Sequence, residues 1–102
     1  RVTEPAADLG ILLAIAGAHR GRSLPPGTVA VGEVGLGGEV RAVPHLERRA
    51  REVRRLGWTA AVMRAPARKR GVPADLEAID VQDVRRALDV LRAPPSRDAP
   101  GS

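Results

Sequence analysis

The spacing of apolar and polar positions changes period several times along this chain. From Pro5 to roughly Arg20 the run PAADLGILLAIAGAHR is apolar on nearly every side. Glu4 and Asp8 flank its first turn, where negative charge suits the helix dipole, and Pro5 fits an early helical position. This pattern predicts a helix buried on most sides. The consecutive prolines and glycines of GRSLPPG end it. Next, TVAVGEVGLGGEVRAV is valine-rich on either side of Gly37 and Gly38, the pattern of two strands joined by a tight turn. From Leu46 to Leu56 the period becomes helical again. Leu46, Ala50 and Val53 share one face, while Arg48, Arg51, Arg54 and Arg55 crowd the opposite one. Gly57 stops this helix. Trp58 to Met63 is then predicted as a short strand, RAPARKRGVPADL as a basic loop, and EAID as another strand. A third helix is predicted over Val81 to Leu91, with Val84, Leu88 and Leu91 at helical spacing. The alternation of helices and strands predicts one α/β domain over residues 1–92, without internal repeats, followed by a disordered Pro, Ala and Ser-biased tail at 93–102.

At 102 residues the chain holds one domain at most, with a modest core. Trp58 is its sole aromatic residue, so that core must be built from Leu, Val, Ile and Ala. The formal charge of +5 is carried by arginine, with Lys69 the single lysine. That bias points to a GC-rich genome, and guanidinium groups permit phosphate or carboxylate partners. The absence of cysteine removes disulfides, thiol nucleophiles and cysteine zinc sites. The longest apolar run, LGILLAIAGA, is about half of a bilayer span, so no membrane contact is expected. With no start methionine and no signal-like leader, the chain is expected to be cut from a longer, cytoplasmic protein.

Nucleophilic catalysis needs a hydroxyl or thiol within reach of a base that a third group holds. Ser23 lies in the Pro-Gly loop and His19 at the end of the preceding helix. The carboxylate on that helix, Asp8, is eleven residues before His19, about 16 Å along the axis. No triad results. His45 and Glu47 diverge at a helix start, and two histidines without cysteine make a poor metal set, so no metal site is expected. GEVGLGGEV lacks the lysine and hydroxyl of a phosphate-cradling loop and is followed by a strand, which again means a hairpin. The helix bearing Arg48, Arg51, Arg54 and Arg55 is the best candidate to meet an anionic partner, and contacts to phosphates would weaken with salt. Its alternative is a solvated or subunit-contacting face laced by Glu47 with Arg51 and Arg48 with Glu52. Arg68, Lys69 and Arg70 form a second basic patch with the same two readings. The near absence of aromatic residues argues against tight autonomous binding of single strands.

TEPAADL, the GEVGLGGEVRAVP hairpin and the spacing between them resemble the C-terminal Lon-protease-like domain of the bacterial RadA (Sms) family of DNA repair proteins, over Arg1 to about Leu91. The resemblance implies a Lon protease C-terminal-like (ribosomal protein domain 2-like) α/β sheet with helices. It also implies an N-terminal truncation, because Lon-like domains carry further strands before the first helix. One face of the sheet and of that helix would then be uncovered, leaving the piece marginally stable or self-associating. Lon peptidases place a nucleophilic serine at the position of Ala6 and the dyad lysine at the position of Glu47. Alanine has no oxygen to attack with, and a carboxylate cannot replace an ammonium that must give up a proton to act as base. A shared fold without peptidase activity is implied. The family also implies a cysteine zinc finger and a RecA-like ATPase elsewhere in the parent protein, so ATP, magnesium and zinc belong there and no cofactor is expected here. It further implies a homohexameric ring acting on single-stranded or branched DNA in branch migration, with the RecA recombinase as a partner. This domain would support ring assembly and DNA contact. The alternative is an inactive Lon-type peptidase relic that serves as a protein-interaction module.

Overall fold

The structure is a computed structural model and describes residues 7–64 and 72–94. In chain order the elements are β1 (Ala7–Asp8), α1 (Leu9–Arg20), β2 (Thr28–Val31), β3 (Glu33–Val34), β4 (Val40–Arg41), α2 (Leu46–Arg55), β5 (Ala60–Met63), β6 (Glu77–Asp80) and α3 (Val84–Leu88). The predicted α/β class holds. Strands β2, β5 and β6 form a parallel sheet in the order β2-β5-β6, with Val29 opposite Ala61 and Val62 opposite Ile79. A smaller antiparallel sheet has the order β1-β3-β4.

Parallel neighbours cannot be joined by a tight turn, and the crossover between β2 and β5 carries the β3-β4 hairpin and α2. The side-chain period of two then sorts the sheet residues into layers. Ala30, Val62 and Ile79 face the larger core, with Leu9, Leu13, Ala87 and Leu91 of the α1 and α3 side. Val29, Val31, Ala61, Met63 and Ala78 face the other way and pack with Leu46, Ala50 and Val53 of α2. Helices therefore cover both faces of the parallel sheet. All four residues of β5 are buried, as expected of a central strand enclosed from two sides.

Four expectations are corrected. The first helix starts at Leu9, not near Pro5, because Asp8 is extended and its carboxylate accepts the amides of Gly10 (2.7 Å) and Ile11 (3.3 Å). Ala7 and Asp8 pair instead with Val34 and Glu33 as a strand; Glu4, Pro5 and Ala6 lie outside the described residues. This helix is also buried on one side only. Leu9 and Leu13 are enclosed, while Ile11 and Ile15 are 62% and 60% exposed. The uncovered helix face was expected; of the two sheets, the parallel one is covered on both faces, while the antiparallel one exposes Asp8, Glu33 and Arg41 on the face opposite the buried Val34 and Val40. Third, the valine-rich run does not make one hairpin. Val29 and Val31 belong to the parallel sheet and Val34 to the antiparallel one, and the chain changes sheet at Gly32, whose carbonyl accepts the Leu9 amide (3.0 Å). The tight turn itself lies between β3 and β4. Finally, α3 covers only Val84–Leu88. The Val81 amide is taken by the Met63 carbonyl (3.0 Å), Asp83 caps the helix through the Arg86 amide (2.9 Å), and Arg92 pairs with Ser23. The segment 95–102 of the expected tail lies outside the described residues.

The hairpin is clamped to α3. The Val40 amide donates to Gln82 (2.9 Å) and the Val84 amide to Gly38 (2.8 Å). Two carboxylates at this junction titrate below their ordinary range. Glu39 is held down first by its own backbone amide and then by Arg41, at 2.8 Å. Asp83 is held down by the Arg86 amide and the Arg86 charge.

Two predictions follow from this packing. Leu13→Ala costs about 2–5 kcal/mol in urea unfolding, whereas Ile15→Ala stays within about 0.5 kcal/mol; similar losses at both sites would refute the one-sided burial of α1. Because the folded-state values of Glu39 and Asp83 are lowered, their contribution is present above the ordinary carboxylate range and is lost as pH falls through the lowered values. Glu39→Gln with Asp83→Asn therefore flattens the decline of the melting temperature below about pH 4. An acid limb as steep as that of the parent chain would contradict the clamp.

Candidate nucleic-acid interface

Helix α2 is amphipathic, and its two ends fix where its arginines stand. At the N-terminal end His45 is the cap residue, at φ 58°, without a side-chain cap bond. At the C-terminal end the Trp58 amide donates to Val53 (3.2 Å) and the Gly57 amide to Arg54 (3.0 Å), with Gly57 at φ 105°. This is the Schellman pattern, which calls for glycine because an L side chain is strained at that φ. Ala50 is buried and Leu46 and Val53 are half-buried against the sheet, so the opposite side of the helix must face water.

The four arginines grouped from the sequence are not equivalent. Arg54 donates to Asp75 at 2.9 Å and is only about a third exposed. At about 100° per residue it lies about 40° from Ala50 and about 120° from Arg48, at the edge of the apolar face. Arg55 is exposed and pairs with Glu52 at 2.9 Å. Arg48 and Arg51 are exposed and, among the described residues, make no hydrogen bond or ion pair. The helix-spaced pairs Glu47 with Arg51 and Arg48 with Glu52 do not form; Glu52 is taken by Arg55 instead. Arg48, Arg51, Glu52 and Arg55 share one shallow surface depression. The patch at Arg68, Lys69 and Arg70 lies outside the described residues.

An open groove of about 560 Å³ separates the start of α1 from the start of α2. Asp8, Glu33 and Glu52 line it together with His45, Arg48 and Arg49. Among the described residues that line it, none carries a hydroxyl, thiol or ammonium group, and the Asp8 carboxylate is occupied in capping α1. Glu47 is exposed in the first turn of α2 and does not line this groove, and Ala6 lies outside the described residues. Among the described residues no group of three or more His, Cys, Asp and Glu could hold a metal ion, and no helix is long and apolar enough to cross a membrane.

Two features escaped the sequence reading. Arg49 reaches back to the Pro44 carbonyl at 3.3 Å and adds a cation to the groove; its position in the helical period alone does not signal this. The fixed position of Trp58 could have been found, since a glycine followed by a large apolar residue at a helix end is the signature of the Schellman pattern.

No protein-family model matches the chain. It is 40% identical over 92 residues to the DNA repair protein RadA of Mycolicibacterium smegmatis, covering 90% of this chain and 19% of that protein. It is 41% identical over 93 residues to RadA of Chlamydia pneumoniae (90% and 20%) and 39% identical over 93 residues to RadA of Halalkalibacterium halodurans (88% and 20%). The chain thus spans about a fifth of the length of the curated relatives it matches. Over about nine-tenths of its length, this α/β domain is thus similar to one stretch of bacterial DNA repair proteins. The repair proteins it resembles in this way are those named RadA.

The unequal state of the arginines is measurable. A double-mutant cycle on Arg54→Ala and Asp75→Ala gives a coupling of about 0.2–1 kcal/mol, while Arg48→Ala and Arg51→Ala each change stability by less than about 0.5 kcal/mol. A zero coupling for the first pair, or a large loss from Arg48 or Arg51, would contradict the assignment.

Proposed function

We propose that this chain is a non-catalytic domain of a RadA-type repair ATPase and contacts DNA phosphates through Arg48 and Arg51. The observation that carries this reading is the state of those two guanidinium groups, which are exposed, lack partners among the described residues, and sit on a helix rooted in the core by its other face. Planar, permanently charged donors of this kind suit phosphate oxygens. The resemblance to Lon peptidases, which places Ala6 and Glu47 at the dyad positions, supports the non-catalytic part. In the parent protein the ATP, magnesium and zinc sites would lie outside this segment. The domain would contribute to a homohexameric ring acting in branch migration alongside the RecA recombinase, with a cytoplasmic location to match. A second reading, a peptidase relic used for protein interaction, is favoured by one observation, the exposed Ile11 and Ile15 on α1.

The test uses the full-length parent protein with Arg48→Gln and Arg51→Gln together. Affinity for single-stranded DNA falls, and the slope of log K against log salt becomes shallower by about 1.4, the value for two lost phosphate contacts. Unchanged affinity and slope would reject the phosphate contact. If Ile11→Gln with Ile15→Gln then abolished assembly, the protein-interaction reading would replace it.

A further inference from the structure

We infer that α1 pairs with α1 of a second copy of this chain, antiparallel across a two-fold axis, through the seam Ile11, Ala14, Ile15 and Ala18. All four residues are exposed, the isoleucines at 62% and 60%. They fall within about 100° of arc, opposite the buried Leu9, Leu13 and Gly17. No polar side chain interrupts α1 between Leu9 and Ala18. The helix is thus apolar on two faces, and the core of its own domain takes up one of them. A straight, uncharged seam on a helix suits a second helix. The two alanines, with their small side chains, let its backbone approach to the close end of the usual range of about 8–10 Å between axes.

What points to a second copy is that the seam complements itself. With the pair centred between Ala14 and Ile15, Ile11 lies level with Ala18 of the other copy, and Ile15 lies level with its Ala14. Each large side chain then meets a small one. The charged ends match as well. Asp8 caps the start of α1 through Oδ1 alone, which leaves Oδ2 to accept a further bond. The last turn carries His19 and Arg20, both exposed and without a side-chain partner among the described residues. His19 is the nearer to the seam, about 40° from Ile15. Antiparallel packing sets this basic end beside the acidic start of the other helix and opposes the two helix dipoles, whereas parallel packing would set like ends together. A two-fold contact joins copies two at a time, so it is distinct from the head-to-tail contacts that close a ring. It also leaves Arg48 and Arg51 open, because α1 and α2 cover opposite faces of the parallel sheet.

The experiment uses the full-length parent protein with single substitutions Ala14→Cys and Ala18→Cys, oxidised mildly and searched by mass spectrometry for a disulfide between two α1 peptides. Ala14→Cys lies beside the axis and links to its counterpart. Ala18→Cys does not link, because its counterpart is about 10 Å away along the helix, beyond disulfide reach. Sedimentation over a range of concentrations then compares the parent protein with Ala14→Arg. This variant weakens pairing by about 30-fold, the loss expected at one interface hot spot, and halves the mass of the assembly. Links at both positions would mean parallel helices and overturn the inference. It is equally overturned if neither position links and Ala14→Arg leaves the mass unchanged, which would assign this face to another part of the parent protein or to a different partner. Should Ala14→Arg not fold, Ile15→Gln takes its place in the sedimentation comparison with the same expected halving. The response of DNA affinity to Arg48→Gln with Arg51→Gln is read separately, so the phosphate contact and the helix pairing stand or fall independently.

Discussion

The structure depends on the enclosure of one four-residue strand. Ala60, Ala61, Val62 and Met63 hydrogen-bond to parallel neighbours on both edges and are packed by helices on both faces. Burial of side chains the size of Val62 and Met63 contributes about 1.5–3 kcal/mol each. It also dictates where the other elements go, because a central parallel strand is stable only when both faces are covered. Helix α1 and α3 supply one cover, and α2 supplies the other. The orientation of α2 is therefore a consequence of the core, and so is the direction in which its arginines point.

That link separates the arginines more finely than charge alone. Arg54 sits at the border of the buried face, where Asp75 can reach it. Arg55 is claimed by Glu52 on the same helix. Exposed ion pairs of this kind contribute little to stability, but they do occupy the guanidinium group. Arg48 and Arg51 stand farther from the apolar seam, and no acidic residue among those described takes them up. A surface with spare cations on a rigid helix is the physical basis for the proposed DNA contact. The groove beside it offers charge, and none of the described residues that line it carries a hydroxyl, thiol or ammonium group.

Much of this was legible in the sequence. The 3.6-residue period of Leu46, Ala50 and Val53 located α2 to within a residue, and EAID located β6 as it stands. The resemblance to RadA is matched by relatives at about 40% identity. What could not be read is physical in origin. Capping by Asp8 and Asp83 depends on backbone geometry that overrides apolar periodicity, which is why α1 starts late and α3 is short. The run from Val29 to Val34 shows only that strands are present, since which sheet each joins is decided by partners distant in sequence. Likewise, Glu52 had three arginines at compatible helix spacings, Arg48, Arg49 and Arg55, and the sequence could not say which it would take.

The central claim is that the core leaves Arg48 and Arg51 free for DNA while Arg54 is engaged within the domain. Arginine-selective modification by phenylglyoxal, read by peptide mass spectrometry on the full-length protein with and without saturating DNA, tests it directly. The account predicts rapid modification of Arg48 and Arg51 in the free protein, strong protection of both when DNA is bound, and slow modification of Arg54 in either state. Equal modification of Arg48 and Arg51 with and without DNA would contradict it.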